Sequence, residues 1–252
     1  PMPVQEAVIP LLLADKTDIV ALAQTVTGKT AAFGLPIIEQ IDITAKKPQA
    51  LILCPTRELC LQIAGDLNDF SKYISDLKVL PVYGGSSIEN QIQALKKGVH
   101  IVVATPGRMQ DLINRKAIKL DEVNKVVLDE ADKMLNMGFQ DSIDSILQEV
   151  PEDRNTLLFS ATMPSRIVQL SKKYMHNTEI LKVEAKQLTT DLTNQIYFEV
   201  KESDKFDALT RIIDVEPEFY GIVFSRTKIG VDEIVNKLIE RGYAAEGLHG
   251  DG

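Results

Sequence analysis

The sequence predicts an α/β protein built on a doubly wound parallel sheet, and three observations carry the prediction. Short, uniformly apolar runs bounded by Gly, Pro or polar residues recur along the chain. Longer amphipathic stretches alternate with them, the pattern of strand and helix in turn. The composition, 44% hydrophobic and 25% charged over 252 residues, is that of a globular protein with material for one large or two modest domains. Runs without internal polar positions suit strands covered on both faces, and right-handed crossovers between them follow.

Taken in order, the first strand is Asp18 to Ala23, followed after a short turn by the helical run AAFGLPIIEQI. Strand Ala50 to Cys54 leads to helix Arg57 to Phe70, and strand Lys78 to Tyr83 to helix Ile88 to Lys97. Strand His100 to Ala104 leads to helix Gly107 to Asn114, and strand Lys125 to Asp129 precedes helix Phe139 to Glu149. Strand Thr156 to Ser160, helix Ser165 to Met175 and strand Glu179 to Val183 complete the series. From Ala185 to Asn194 the pattern lapses into AKQLTTDLTN, polar and rich in Thr, which reads as a linker. The expected organisation is a domain at 1–184, a linker at 185–194 and the start of a second α/β domain at 195–252. That last part reads as strand Gln195 to Val200, helix Lys205 to Asp214, strand Gly221 to Ser225, helix Ile229 to Arg241 and strand Ala244 to Leu248. So short a stretch buries little core and is expected to be marginal alone. The start at Pro1 and the turn-like finish after Leu248 suggest a piece of a longer protein.

Several function classes are excluded at this stage. Stretches such as Leu11 to Ala14 and Ile19 to Ala23 fall far short of the roughly 18 apolar residues of a membrane span. No secretory leader is visible, so a cytoplasmic location is expected. Cys54 and Cys60 match no zinc spacing and read as buried thiols. A net charge of -8 argues against binding nucleic acid through bulk electrostatics.

The first strand runs into Ala23-Gln24-Thr25-Val26-Thr27-Gly28-Lys29-Thr30, the phosphate-loop order with Ala in the first Gly position. Loop N–H groups and a helix N-terminus surround phosphates, Lys29 neutralises β and γ oxygens, and Thr30 offers a hydroxyl to Mg²⁺. The bland alternative is a strand-to-helix turn. A second metal-orienting group belongs at the end of another buried strand, where Lys125-Val126-Val127-Leu128-Asp129-Glu130 places Asp129. Its neighbour Glu130 fits a base that positions or deprotonates an attacking water. An acidic N-cap for a helix starting at Ala131 explains one carboxylate well and three poorly.

Asp129-Glu130-Ala131-Asp132 together with Gly28-Lys29-Thr30 resembles the DEAD-box RNA helicases of superfamily two. Further motifs stand in that family's order. Pro1 to Gln5 resembles the end of the Q motif, Pro55-Thr56-Arg57-Glu58-Leu59 motif Ia, Gly84-Gly85 the GG motif and Thr105-Pro106-Gly107-Arg108 motif Ib. Ser160-Ala161-Thr162 is similar to motif III, and Ile222 to Lys228, including Ser225 and Arg226, to motif IV. The resemblance implies two RecA-like domains with ATP and Mg²⁺ at their interface and RNA, single strand or short duplex, across both. It implies that Gln5 reads the adenine edge, that Gln24 to Thr30 cradle the phosphates, and that Ser160 and Thr162 bond near Asp132 to couple nucleotide state to closure. RNA would meet Pro55, Thr56, Arg57, Glu58, Gly84, Gly85, Thr105, Pro106, Gly107 and Arg108, with Ser225 and Arg226 from the second domain.

The first three of these groups each follow an apolar strand, and ligands of open parallel sheets gather at the strands' carboxyl ends. Such turns offer hydroxyls, guanidinium groups, backbone N–H groups and helix N-termini to phosphates and sugars without reading bases. Taken singly, Gly84-Gly85 is a plain turn and Arg57 a surface ion-pair residue. A local row of donors reconciles an acidic chain with RNA, at modest affinity and without sequence preference. A monomer is expected.

Departures from the family pattern shape the functional expectation. Val26 stands where the pattern has Gly, and a β-branched residue resists the positive φ and close phosphate approach that Gly permits. Weak ATP binding is expected, although an apolar Val could also be neutral. Met2 replaces a usual Thr, and motifs V and VI lie beyond the chain, so feeble hydrolysis by the chain alone is expected. The leading reading is an ATP-dependent RNA helicase, an ATP hydrolase, that unwinds short duplexes or remodels RNA–protein complexes. The alternatives are a non-catalytic ATP-gated RNA clamp or scaffold, and a phosphate-loop kinase or DNA translocase. The last shares Lys29 and Asp129 but leaves D-E-A-D, S-A-T and P-T-R-E-L unexplained.

Overall fold

A computed structural model describes residues 1–14, 17–23, 28–183, 194, 196–216 and 218–250. The chain divides into two compact units, Pro1–Leu188 and Thr189–Gly252.

In the first unit, β1 (Ile19–Leu22), β2 (Ala50–Leu53), β3 (Val79–Val82), β4 (Ile101–Ala104), β5 (Lys125–Leu128), β6 (Asn155–Ser160) and β7 (Glu179–Lys182) form one sheet. Its order is β3-β4-β2-β5-β6-β1-β7. Every pairing is parallel, with Ile19 opposite Leu157 and Ala50 opposite both Ile101 and Lys125. Helices α1 (Pro3–Leu13), α2 (Lys29–Gln40), α3 (Arg57–Phe70), α4 (Ile88–Lys96), α5 (Pro106–Asn114), α6 (Ala131–Asn136), α7 (Gln140–Gln148) and α8 (Ser165–Tyr174) cover it.

Successive strand residues point to opposite faces, so the apolar runs divide into two cores. On one face Val20, Leu51, Val102, Val126 and Leu158 pack with side chains of α5 to α8, such as Met109, Ile143 and Ile167. On the other, Ile19, Ile52, Val103, Val127 and Phe159 pack with Val8, Phe33 and Ile63 from α1, α2 and α3. The Phe33 and Phe159 rings meet at 5.5 Å in a tilted arrangement. Helices on both faces of an all-parallel sheet make this the doubly wound architecture the periodicity implies. Among the described residues, no helix is long and apolar enough to cross a membrane.

The end of the sheet away from the strands' carboxyl termini is locked by a buried acid. Asp18 Oδ1 accepts the Thr156 N–H at 2.7 Å and Oδ2 accepts the His176 N–H at 2.6 Å, tying β1, β6 and the turn after α8. Burial raises its carboxyl above the ordinary range, while the two N–H donors pull it down. Asp18→Asn puts an amide donor against one of these N–H donors and leaves that group unsatisfied. It is expected to destabilise the chain by about 1–3 kcal/mol, read from the urea midpoint. An unchanged midpoint would show that the lock is dispensable.

The second unit is held differently. Its helices α9 (Lys205–Val215) and α10 (Lys228–Glu240) occupy the predicted helical stretches. Arg241 latches them, with Nη1 on Thr210 Oγ1 at 2.9 Å and Nη2 on Asp207 Oδ1 at 2.7 Å. The predicted strands are not formed: 196–200, 221–225 and 244–248 carry no strand. A strand exists only through a hydrogen-bonded neighbour, and these segments do not pair with one another, so apolarity alone leaves them irregular. Their side chains stay uncovered, with Tyr197 84%, Phe224 91% and Leu248 90% exposed. Among the described residues of this unit only Thr210 and Leu238 are buried, the small core expected of so short a stretch.

Candidate functional site

The carboxyl ends of the strands bring the predicted residues of the first unit together. Gln24, Thr25, Val26 and Thr27 lie outside the described residues, as does most of the predicted linker. After them Gly28 turns the chain into α2 with φ 74°. A Cβ there would lie 2.6 Å from Gln5 Nε2 and 2.7 Å from Met2 Sδ, so both the backbone and the space require glycine. Gln5 Nε2 donates to the Gly28 carbonyl at 3.2 Å and its Oε1 accepts the Met2 N–H at 3.0 Å. The amide expected at the adenine edge thus sits against the last residue of the loop. Gly28, at the N-cap of α2, has no side chain to cap the helix, so among the described residues no side chain takes its first-turn N–H groups.

Lys29 and Asp129 meet. Their Nζ and Oδ1 atoms are 3.2 Å apart, with side chains only 9% and 4% exposed. Burial raises the Asp129 carboxyl above its ordinary range, and the Lys29 ammonium opposes the shift. Asp129 Oδ1 also accepts the Glu130 N–H at 2.9 Å. A buried ion pair is costly to desolvate, and its retention beside a helix N-terminus marks a place prepared for charge. Thr30, half-buried in the first turn of α2, brings a hydroxyl to the same end of the sheet. Among the described residues no cluster of three or more His, Cys, Asp or Glu could hold a metal by itself. One carboxylate and one hydroxyl do fit Mg²⁺ that keeps waters and takes phosphate oxygens, its usual mode.

Glu130 occupies the left-handed region at φ 51° and ψ 47°, a conformation that costs a non-glycine residue about 1–3 kcal/mol. It precedes α6 but makes no side-chain cap bond, so helix capping accounts for none of this acid. Instead its Oε1 takes Lys133 Nζ at 3.0 Å. Asp132 faces another way: its Oδ2 accepts from Thr162 Oγ1 at 2.9 Å and from the Thr162 N–H at 3.2 Å. Ser160 Oγ donates to the Thr162 carbonyl at 2.6 Å. A polar staple therefore joins the first turn of α6 to the turn after β6.

A second group of residues gathers beyond β2, β3 and β4. Thr56 caps α3 by accepting the Leu59 N–H at 3.3 Å, with Pro55 buried and Arg57 and Glu58 exposed. The Arg57 guanidinium lies 5.0 Å from the centre of the Tyr83 ring. Gly85, at φ 79°, sits beside it, since a Cβ there would be 3.6 Å from Arg57 Nη1. Thr105, Pro106 and Gly107 open α5, and Arg108 reaches back to the Ser86 carbonyl at 3.1 and 3.2 Å. Ser225 and the exposed Arg226 belong to the second unit, just before α10, which Thr227 caps. Tyr83, Ser86 and Gln91 carry contacts that no local pattern announces, because they tie α3, α4 and α5 to one turn, whereas Lys133 meets Glu130 three residues before it. Cys54 and Cys60 are free and buried, and their mutual hydrogen bond together with burial pushes the Cys54 thiol up.

Comparison with known proteins places the chain in a family. The family model for DEAD/DEAH box helicases matches residues 2–170. The ATP-dependent RNA helicase CshA of Listeria monocytogenes is 53% identical over 249 residues, covering 99% of this chain and 48% of that protein. The DEAD-box ATP-dependent RNA helicase CshA of Geobacillus kaustophilus is 51% identical over 249 residues, covering 99% of this chain and 53% of that protein. The chain thus spans about half the length of the curated relatives it matches. The crystal structure of a DEAD box protein from the hyperthermophile Methanococcus jannaschii superposes with a TM-score of 0.70 at 43% identity, over 100% of this chain and 67% of that one. With the family's signature residues meeting at one end of a sheet of the same fold, and its sequence model running through most of the first unit, the chain belongs to the DEAD/DEAH box helicase family.

Proposed function

We propose that the chain carries the ATP site and part of the RNA track of an ATP-dependent RNA helicase, which couples ATP hydrolysis to local duplex unwinding or remodelling of RNA–protein complexes. The supporting observation is the buried Lys29–Asp129 pair at the start of α2. In this reading residues 1–184 form the ATP-binding domain, 185–194 a linker and 195–252 the opening of a second RecA-like domain. Gln24 to Gly28 and the first-turn N–H groups of α2 surround the phosphates, and Lys29 neutralises the β and γ oxygens. Thr30 and Asp129 would hold Mg²⁺, which when bound supplies positive charge against the phosphate oxygens. Gln5 reads the adenine edge. Glu130 orients and deprotonates the attacking water, and the Asp132–Thr162–Ser160 staple passes the state of the nucleotide to the neighbouring strand ends.

RNA is held through sugar and phosphate by Pro55 to Glu58, Gly84-Gly85 and Thr105 to Gly107, with Arg108 bracing the Ser86 carbonyl behind them and Ser225 and Arg226 contributing from the second unit. Such contacts do not read sequence. The protein acts as a monomer in the cytoplasm. The test is titration of the chain with a fluorescent ATP analogue with and without Mg²⁺, and with labelled single strands of several sequences. Mg²⁺-dependent nucleotide binding and similar affinity for all strands support the reading, and failure to bind nucleotide overturns it. Unwinding is measured after completing the chain with the portion of the Geobacillus relative that it does not cover.

Val26 gives a separate expectation. Replacing it by glycine removes the penalty of forcing a β-branched residue against phosphate, about 1–3 kcal/mol. Val26→Gly is therefore expected to tighten ATP binding by about 5- to 150-fold. Equal affinities in a side-by-side titration would show that the valine is neutral.

A further inference from the structure

Gln91 lies on α4, outside every motif named above, yet its side chain is only 6% exposed. Its Nε2 donates to the Tyr83 carbonyl at 3.2 Å and to Ser86 Oγ at 2.7 Å. Its Oε1 accepts from Arg108 Nη1 at 3.1 Å. The same Arg108 also binds the Ser86 carbonyl through both terminal nitrogens, at 3.1 and 3.2 Å. One buried amide therefore ties the Gly84-Gly85 turn to the start of α5.

Beyond this network the turn is held by Ser86 Oγ, which donates to the Tyr83 carbonyl at 3.2 Å. Two adjacent glycines are conformationally permissive, and nothing lies within 4 Å of a Cβ built on Gly84, so packing does not fix this stretch. Tyr83, whose carbonyl Gln91 takes, carries the Arg57 guanidinium over its ring at 5.0 Å. The ends of β2, β3 and β4 are thus joined through a network centred on Gln91, and such networks are rigid when their members are satisfied.

We propose that Gln91 is a positioning residue for RNA: it presets the Gly84–Ser87 turn and commits Arg108 to bracing that turn, leaving exposed Arg57 as the arginine that meets phosphate. This rests on the RNA-binding reading above. The gain is preorganisation, since a glycine turn ordered only on binding subtracts its ordering cost from affinity.

The experiment measures anisotropy of a labelled ten-nucleotide single strand against the chain across a salt series, beside an ATP titration and amide hydrogen exchange. Gln91→Met keeps the length of the side chain and removes its three bonds. The expected result is RNA affinity about tenfold weaker, with ATP affinity unchanged and faster exchange confined to the 83–87 turn. The slope of log affinity against log salt should stay as it is, because no phosphate contact is lost. Arg57→Ala should reduce that slope by about 0.7. Arg108→Lys keeps the charge but cannot make the same forked contacts, and is expected to behave like Gln91→Met, which covers the case in which the methionine variant fails to fold. RNA affinity within twofold of the parent in either folded variant, or parallel loss of RNA and ATP affinity, overturns the proposal. A parent chain that binds no RNA overturns the functional reading beneath it, a different result from a parent that binds and a variant that binds equally.

Discussion

Lys29→Met is expected to destabilise the first unit by about 3–5 kcal/mol and to abolish measurable ATP binding. The two losses have different causes. The first follows from burial: Asp129 is 3% exposed, and with Lys29 gone its carboxylate has lost its opposite charge without regaining water. The second follows from chemistry, because a lysine at the start of α2 is the group placed to offset the phosphates. The double variant Lys29→Met/Asp129→Asn separates them. Removing both charges should restore most of the stability, seen as recovery of the urea midpoint, while nucleotide binding stays lost. Recovery of both properties would show that Lys29 is only a structural counter-ion.

The pH dependence has a definite sign. Burial places the folded Asp129 carboxyl above its ordinary value, so the folded state holds this proton more tightly than the unfolded chain does. Its contribution to stability therefore falls as pH rises from the ordinary carboxylate range through the raised value, and levels off above that. Without the Lys29 ammonium to oppose the shift, the window reaches further up. The deficit of Lys29→Met should accordingly shrink on acidification, and the double variant should lose that pH dependence. Denaturation midpoints of the parent and both variants at several pH values measure this directly.

The parts legible in the sequence are those whose cause is local. The inner strands of the first unit were readable because burial on both faces leaves an apolar run, as at Ile101–Ala104, whereas the largely exposed edge strand β7 was readable only from its place in the strand–helix alternation. The Lys29–Asp129 contact followed from two strand ends in a parallel sheet, where topology gathers carboxyl termini at one edge. The bounds of α1 were not legible, since Pro10 interrupts it and the stretch from Ala7 to Leu13 is almost wholly apolar, which hides the helical period. The strands of the second unit misled for the opposite reason: Gly221 to Ser225 has the right composition, but composition supplies no pairing partner. Gln91 was invisible because a buried amide reads like any polar residue on an exposed helix face until its partners on two other turns are in place.

Glu130→Gln is expected to lower ATP turnover by about 10²- to 10⁴-fold, the contribution of a positioned general base, while nucleotide affinity changes little. The substitution preserves side-chain length and the left-handed backbone at φ 51°, which Gln tolerates no worse than Glu. It also removes the ion pair with Lys133, but that lysine is 55% exposed, so the pair contributes little to stability. What changes is the ability to accept a proton from water. Single-turnover hydrolysis with protein in excess measures the chemical step even when release is slow, and the completed chimera measures it under RNA stimulation. Retained ATP-dependent RNA binding together with lost turnover identifies Glu130 as the base and leaves the staple between Asp132 and Thr162 working. Measurable turnover unchanged by the substitution would show that Glu130 is not the base. ATP-dependent RNA binding without turnover in the parent would instead assign the chain to a clamp that uses ATP only as a ligand, and would leave the strained carboxylate beside the buried Lys–Asp pair without a use.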